Sequence, residues 1–182
     1  MPLNLLKKYP QLLDLSSLNE KQRKISLRGI FDRDITNNEH FSFKGKKIYP
    51  IKTDGEIDMD REFSHLTTEL IEDVDNKTGK IVKRRVYDSY RSERQHWIKT
   101  HVDCEVCDSE IVVFSVKERD QKKRSDIIRT YIYNKTRKYV IVFEPQMRNG
   151  HSYYLLTAYY LNKVYGEKQI KKKLKVKMDS VY

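Results

Sequence analysis

Between Glu110 and Leu161 the chain is a succession of β-rich runs, Glu110 to Lys117, Ile127 to Tyr133, Tyr139 to Glu144 and His151 to Leu161, separated by short connectors. Connectors of this length join antiparallel neighbours, because a parallel crossover needs a dozen or more residues. Asn149-Gly150 is the dipeptide that closes a tight hairpin between the last two runs. The stretch therefore predicts a meander. In its last run Tyr153, Leu155, Thr157 and Tyr159 share one face and Tyr154, Leu156, Ala158 and Tyr160 the other, so both sheet faces carry apolar surface to bury. Thr157 is the interior hydroxyl of its face, and packing is the plain role for a strand threonine.

Upstream the period changes. Tyr87, Tyr90, Arg94, Trp97, Ile98 and His101 recur at three and four residues, the spacing of one helix face. Before them His65 to Ile71 reads as extended, Asp75 to Gly79 as a turn and Lys80 to Val82 as a returning strand. The class is α+β: a helix packed on an antiparallel sheet of four or more strands, with an N-terminal helix and hairpin extension. In that extension Ser17 to Glu20 has the form of a capping box opening a short helix through Lys24. Phe41-Ser42-Phe43 and Ile48-Tyr49 flank Lys44-Gly45-Lys46-Lys47 as a hairpin. Asp54-Gly55 punctuates the chain, giving an N-terminal module over 1–55, an α+β domain over 56–165 and a basic tail over 166–182.

Charge narrows the partners. The chain has 37 Lys+Arg against 26 Asp+Glu, a net charge of +11, which favours a polyanion through phosphate contacts and counterion release. Six lysines of the tail face only Glu167 and Asp179, yet the excess survives its removal, so the folded body also has a positive face. Truncating the tail is expected to weaken RNA binding without abolishing it. No apolar run approaches the ~20 residues of a membrane span. Met1 to Lys8 sets its lysines after the apolar residues, the reverse of a signal peptide. The expectation is a soluble, cytoplasmic protein with no membrane partner.

Metal chemistry is weakly supported. His101, Cys104 and Cys107 have spacings zinc could use, but a closed site needs a fourth ligand, for which only the distant His96 or His65 offer themselves. Two reduced thiols near a helix end is the simpler account. Asp58, Asp60 and Glu62 alternate on a segment ahead of the core, and no convincing magnesium-nuclease pattern follows. Metal-independent RNA cleavage asks less: the neighbouring hydroxyl is the nucleophile, and the protein supplies a base, cations for the phosphorane and an acid, with no cofactor. Residues available are His65, Arg91, Arg94 and His101, Arg129 and Tyr131 on a strand, His151 and Thr157, with Trp97 beside Arg94 to stack on a base or to stabilise the helix.

Phe63-x-His65-Leu66-Thr67-Thr68, Arg91-x-Glu93-Arg94-x-x-Trp97-Ile98, Tyr139 to Glu144 and Tyr154 to Leu161 together resemble the phage and mobile-element branch of the barnase, EndoU, colicin and RelE-like ribonucleases, over roughly residues 60 to 162. The resemblance implies a helix on a four-stranded antiparallel sheet and metal-independent RNA cleavage by a toxin or phage-conflict effector, in a bacterial or phage-infected cell. An antitoxin or immunity protein is a partner such a family leaves open. By the same resemblance His65, Arg91, Arg94 and Thr157 fall where that branch keeps polar cleft residues.

The leading expectation is thus an endoribonuclease with His65 as general base or acid, Arg94 and Arg129 on the phosphate charge and Thr157 positioning the phosphate. Arg91, Trp97, His101, Tyr131 and His151 would bind substrate. A non-catalytic nucleic-acid-binding module and a phage protein that binds a host protein are the readings from other classes.

Overall fold

The computed structural model describes residues 2–50, 52–53, 55–75, 78–106, 108–120, 124–146 and 152–182. In chain order the elements are α1 (Pro2–Leu5), α2 (Glu20–Phe31), β1 (Ser42–Phe43), β2 (Lys46–Tyr49), β3 (Lys52–Thr53), β4 (Glu56–Ile57), α3 (Met59–Thr67), β5 (Thr68–Val74), β6 (Ile81–Tyr87), α4 (Ser89–Ser92), α5 (Trp97–Val102), β7 (Ile111–Asp120), β8 (Ser125–Asn134), β9 (Tyr139–Gln146), β10 (Ser152–Tyr160) and α6 (Val164–Lys175). The fold is α+β.

The capping box forms two residues later than its sequence form suggests, at Asn19 and Gln22 in place of Ser17 and Glu20. Asn19 Oδ1 accepts from the Gln22 N–H at 2.9 Å, and Gln22 Oε1 accepts from the Asn19 N–H at 3.0 Å. From there α2 runs past Lys24 to Phe31, because Leu27, Ile30 and Phe31 put buried apolar groups on one face. A π-helical turn, Asp32–Thr36, continues it. The predicted hairpin follows: Lys44 and Gly45 both take positive φ, 51° and 72°, as a two-residue type I′ turn demands.

His65 does not begin a strand. It lies in the last turn of α3, capped at its start by Asp58, which accepts from the Arg61 N–H at 2.9 Å. The Thr67 and Thr68 hydroxyls bond back to the carbonyls of Phe63 and Ser64 at 2.8 and 2.5 Å, so residues with β propensity end this helix instead of opening a sheet. Only from Thr68 does the chain extend, into the two-stranded β5–β6 hairpin.

The helix predicted across Tyr87 to His101 is divided into α4 and α5. Between them Arg94, Gln95 and Trp97 donate to residues three back, at 3.2, 3.2 and 2.9 Å, a tighter winding that keeps the three-residue repeat while breaking the α-helix.

The main sheet has six strands in the order β1-β2-β10-β9-β8-β7. All neighbours are antiparallel except β2 and β10, which run parallel through Ile48 and Tyr49 against Tyr153 and Tyr154. One face carries a core that joins Leu27, Ile30, Phe31, Phe43 and Ile48 to Trp97, Ile98, Ile132, Ile141 and Phe143. The N-terminal 55 residues thus share a core with the rest. The opposite face packs Phe114, Val116, Tyr131, Tyr133, Val140 and Val142 under Leu161 and Ile170.

The stretch expected as a basic tail is part of the fold. Ile170 of α6 is buried on that second face, and Met178 N–H then bonds the Ser115 carbonyl at 2.8 Å along edge strand β7. Further on, the Tyr182 N–H donates to Ser115 Oγ at 3.0 Å and its carbonyl accepts from Thr130 Oγ1 at 2.8 Å. Five of the six lysines are exposed, on or just beyond the solvent side of a packed helix, whereas Lys173 turns in toward the sheet.

A β-bulge alters the last strand. Leu155 pairs with Phe143 and Thr157 with Val142, so Leu156 has no place in the ladder. Tyr153 and Leu155 lie in the first core, and so does Ala158; Leu156 and Tyr159 pack in the second. The strict alternation that would group Thr157 and Tyr159 with Tyr153 is therefore shifted, and Thr157 faces the side covered by α6.

Among the described residues no helix is long and apolar enough to cross a membrane. The Asn149-Gly150 turn and the 121–123 connector lie outside the described residues.

Candidate functional site

Asp88 follows β6 and caps α4, accepting from the Arg91 N–H at 3.1 Å, and this fixes the base of the Arg91 side chain. The guanidinium then reaches β10. Its Nη1 donates to the His65 carbonyl at 2.7 Å and to Thr157 Oγ1 at 3.3 Å, while Nε stands 3.5 Å from Asp88 Oδ2. One cation thus ties together α3, α4 and the bulge of β10. Burial pushes its pKa down, with Asp88 opposing, and a guanidinium remains charged throughout the range where proteins fold.

Arg91 and Thr157 line a cavity of about 290 Å³ together with Glu69, Asp88, Tyr159 and Lys173. Glu69 Oε2 lies 3.6 Å from Lys163 Nζ at its rim. Burial pushes the Tyr159 phenol up to about 12, against the pull of Arg91, so it is a proton carrier at neutral pH. Lys173 of α6 lines the same cavity. It ion-pairs with Glu118 and donates to the Tyr131 hydroxyl at 2.8 Å, and Tyr131 in turn donates to Glu118 Oε1 at 2.7 Å. Arg129 Nη1 adds a contact 3.6 Å from Glu118 Oε2. Burial alone would push the Glu118 carboxyl up, but the hydrogen bonds from Lys173 and Tyr131 and the charges of Lys173 and Arg129 bring it below the usual carboxylate range. Burial first, and then Glu118, push the Tyr131 phenol up.

The sequence-predicted residues divide accordingly. Arg91 and Thr157 meet at the cavity. Arg129 and Tyr131 lie on the same sheet face, on β8 with β9 between them and Thr157, and connect to the cavity through Glu118 and Lys173. His65 contributes its carbonyl and not its ring. The ring is turned to Arg85, whose Nη2 lies 3.1 and 3.0 Å from its two nitrogens. A guanidinium can only donate, so the imidazole is neutral; burial, then Arg85, Arg61 and Arg91, hold its pKa down at about 4. His65 is not among the residues that line the cavity, and its ring is engaged by Arg85 instead.

Three expected site residues are walled off, because the helix face that carries them points into the sheet. Arg94 is 8% exposed, its Nη1 donates to the Tyr90 carbonyl at 2.8 Å, and its guanidinium lies 4.0 Å over the Tyr160 ring. Trp97 is 3% exposed, bonds the Gln11 carbonyl at 3.1 Å and meets Tyr9 and Tyr139 edge-on. His101 donates from Nδ1 to the Trp97 carbonyl at 2.7 Å and accepts at Nε2 from Asn134 Nδ2 at 3.0 Å, a neutral imidazole in a buried network. With both nitrogens so used His101 is unsuited to zinc. Cys107 and His151 lie outside the described residues. Among the described residues no three His, Cys, Asp or Glu side chains are grouped to hold a metal ion.

Glu69, Asp88, Glu118, Tyr159 and Lys173 escaped the sequence reading. Two left a signal: Glu118 stands two residues beyond Val116 and four beyond Phe114, an inward strand position for a carboxylate, and Lys173 follows Ile170 by three, on the buried side of α6.

No family model, curated protein or solved structure matches the chain.

Proposed function

We propose that the chain is a metal-independent endoribonuclease whose scissile phosphodiester sits in the cavity between β10, α4 and α6. What supports this reading is one juxtaposition: the cations Arg91 and Lys173, the hydroxyls of Thr157 and Tyr159 and the carboxylates Glu69 and Asp88 line a single cavity. On a strongly basic chain, that set supplies each role the reaction needs.

Asp88 is occupied with capping and with Arg91, which leaves Glu69 to take the proton from the 2′-hydroxyl. The 2′-oxygen forms a bond to phosphorus and the bond from phosphorus to the 5′-oxygen breaks. Arg91 and Lys173 stabilise the added negative charge, with Thr157 donating to a phosphoryl oxygen. Tyr159, kept protonated by burial, gives its proton to the departing 5′-oxygen and recovers one through solvent from Glu69. The products are a 2′,3′-cyclic phosphate and a free 5′-hydroxyl. DNA lacks the nucleophile and is spared.

The test is incubation of the purified protein with labelled single-stranded RNA and the same sequence as DNA, in excess EDTA. RNA cut to cyclic-phosphate ends with DNA intact is the expected result. Tight RNA binding with no cleavage would replace the enzyme by a nucleic-acid-binding module, and cleavage only after a divalent cation is restored would overturn the mechanism.

A further inference from the structure

A larger groove, about 700 Å³, lies on the other side of the β5–β6 hairpin, between α2 and α3. Its wall carries Arg23, Lys24, Arg28 and Arg85 against the carboxylates Glu20 and Asp60. Arg28 is answered by Asp60 at 2.5 Å and by Asp32 at 3.1 Å. The acceptors that Arg85 meets are neutral, the Thr68 hydroxyl at 3.1 Å, the Thr68 carbonyl at 3.5 Å and the His65 ring. The Arg23 guanidinium lies 4.8 Å over the half-exposed ring of Tyr87, a planar cation on an aromatic face at the groove wall.

The groove is not independent of the cavity. Thr68 lines the groove and its neighbour Glu69 the cavity; Tyr87 lines the groove and its neighbour Asp88 the cavity. Successive strand residues point to opposite faces, so the two depressions back onto the base of one hairpin. Basic side chains interleaved with a stacking aromatic are the means by which proteins hold single-stranded nucleic acid without reading its sequence.

We propose that this groove is a second subsite for the same RNA, holding a single-stranded segment flanking the scissile phosphodiester, with Arg85 and Lys24 on its phosphates and the Arg23–Tyr87 pair stacked on a base. The inference rests on the reading of the chain as RNA-directed. It predicts that affinity grows with RNA length beyond the cleaved dinucleotide and that the increment belongs to this groove.

The experiment measures anisotropy of fluorescein-labelled 2′-O-methyl RNA, which cannot be cleaved, as a dinucleotide and as an oligomer of about twelve nucleotides, the range a stacking groove spans. The full chain is compared with Arg23→Glu/Lys24→Glu, both on the outer turns of α2, and with Tyr87→Leu. The long oligomer is expected to bind the charge-reversed variant about tenfold more weakly or worse, with the dinucleotide changed less than twofold. Tyr87→Leu is expected to weaken the long oligomer several-fold at unchanged salt dependence. Equal losses for both lengths, or none for either, would overturn the subsite. Cleavage assays separate the two ideas: a wild-type chain that binds long RNA through the groove yet cuts nothing loses the enzyme reading and keeps this one.

Discussion

The Lys173 ammonium and the Tyr131 hydroxyl stand 2.8 Å apart, so a lysine of the C-terminal basic stretch is keyed into the second face of the sheet. Their shared partner Glu118 makes this a closed triangle of charge and hydroxyl, half-buried beside the proposed cleavage cavity. Helix α6 is consequently both a wall of the site and a part of the core.

Truncation therefore does more than trim charge. Ending the chain at Lys163 removes Ile170 from the second core and the backbone partners of Ser115 and Thr130. Loss of the cooperative thermal transition is expected, in place of the mild loss of RNA affinity that a solvated tail would give. Circular dichroism melts of the truncated chain decide between them. Ile170→Ala is the gentler version, costing about 2–4 kcal/mol in urea unfolding.

Arg91 is the most exacting position. Arg91→Ala removes the cation and the links to the His65 carbonyl and Thr157 together, and a fall of about a hundredfold or more in kcat on RNA is expected. Arg91→Lys keeps the charge without the planar fork and should recover little of it. A kcat within threefold of wild type for Arg91→Ala would remove Arg91 from the reaction.

Thr157→Val tests the hydroxyl with the shape retained. Because Thr157 donates to or accepts from groups at the cavity rather than in the core, stability should change by less than about 1 kcal/mol while kcat falls roughly tenfold. KM is expected to hold, since the bond is assigned to the phosphorane. A fall in KM-dependent binding alone would recast Thr157 as a ground-state contact.

Acid should destabilise the fold through its histidines. Burial, first among the causes, depresses His65 and His96 to about 4 and lowers His101, so the unfolded chain binds protons the folded one refuses. The stability they confer is complete above pH 6.5 and drains as pH falls toward about 4. For the buried His96 the loss is on the order of 2 kcal/mol, and His96→Gln should flatten that limb of the pH–Tm curve. A Tm that is level between pH 7 and pH 5 would contradict the buried, neutral state.

Much of the fold was legible in the residues. The four strands from Glu110 onward follow from alternation and β-branched content, which local sequence carries directly. The one-helix reading of Tyr87 to His101 failed for a physical reason: a turn wound on three-residue hydrogen bonds has nearly the repeat of an α-helix. The β propensity of Thr67 and Thr68 points His65 toward a strand, a bias overridden where their hydroxyls close the helix end. Of the candidate site, the sequence offers Arg91 and Thr157 but not the groups they meet. Arg91 and Thr157 stood in recognisable runs, but Glu118 meets Lys173 across 55 residues, a pairing that only the folded sheet creates.

Leu156 gives β10 one residue more than its partner strand counts, and that surplus sets which side of the sheet each later side chain serves. Removing Leu156 would straighten the ribbon without sliding Thr157 to Tyr160 against β9, whereas a deletion a few positions on would exchange the contents of the two faces. The gene should accordingly tolerate a lost codon at one link of this strand and at none of those that follow it.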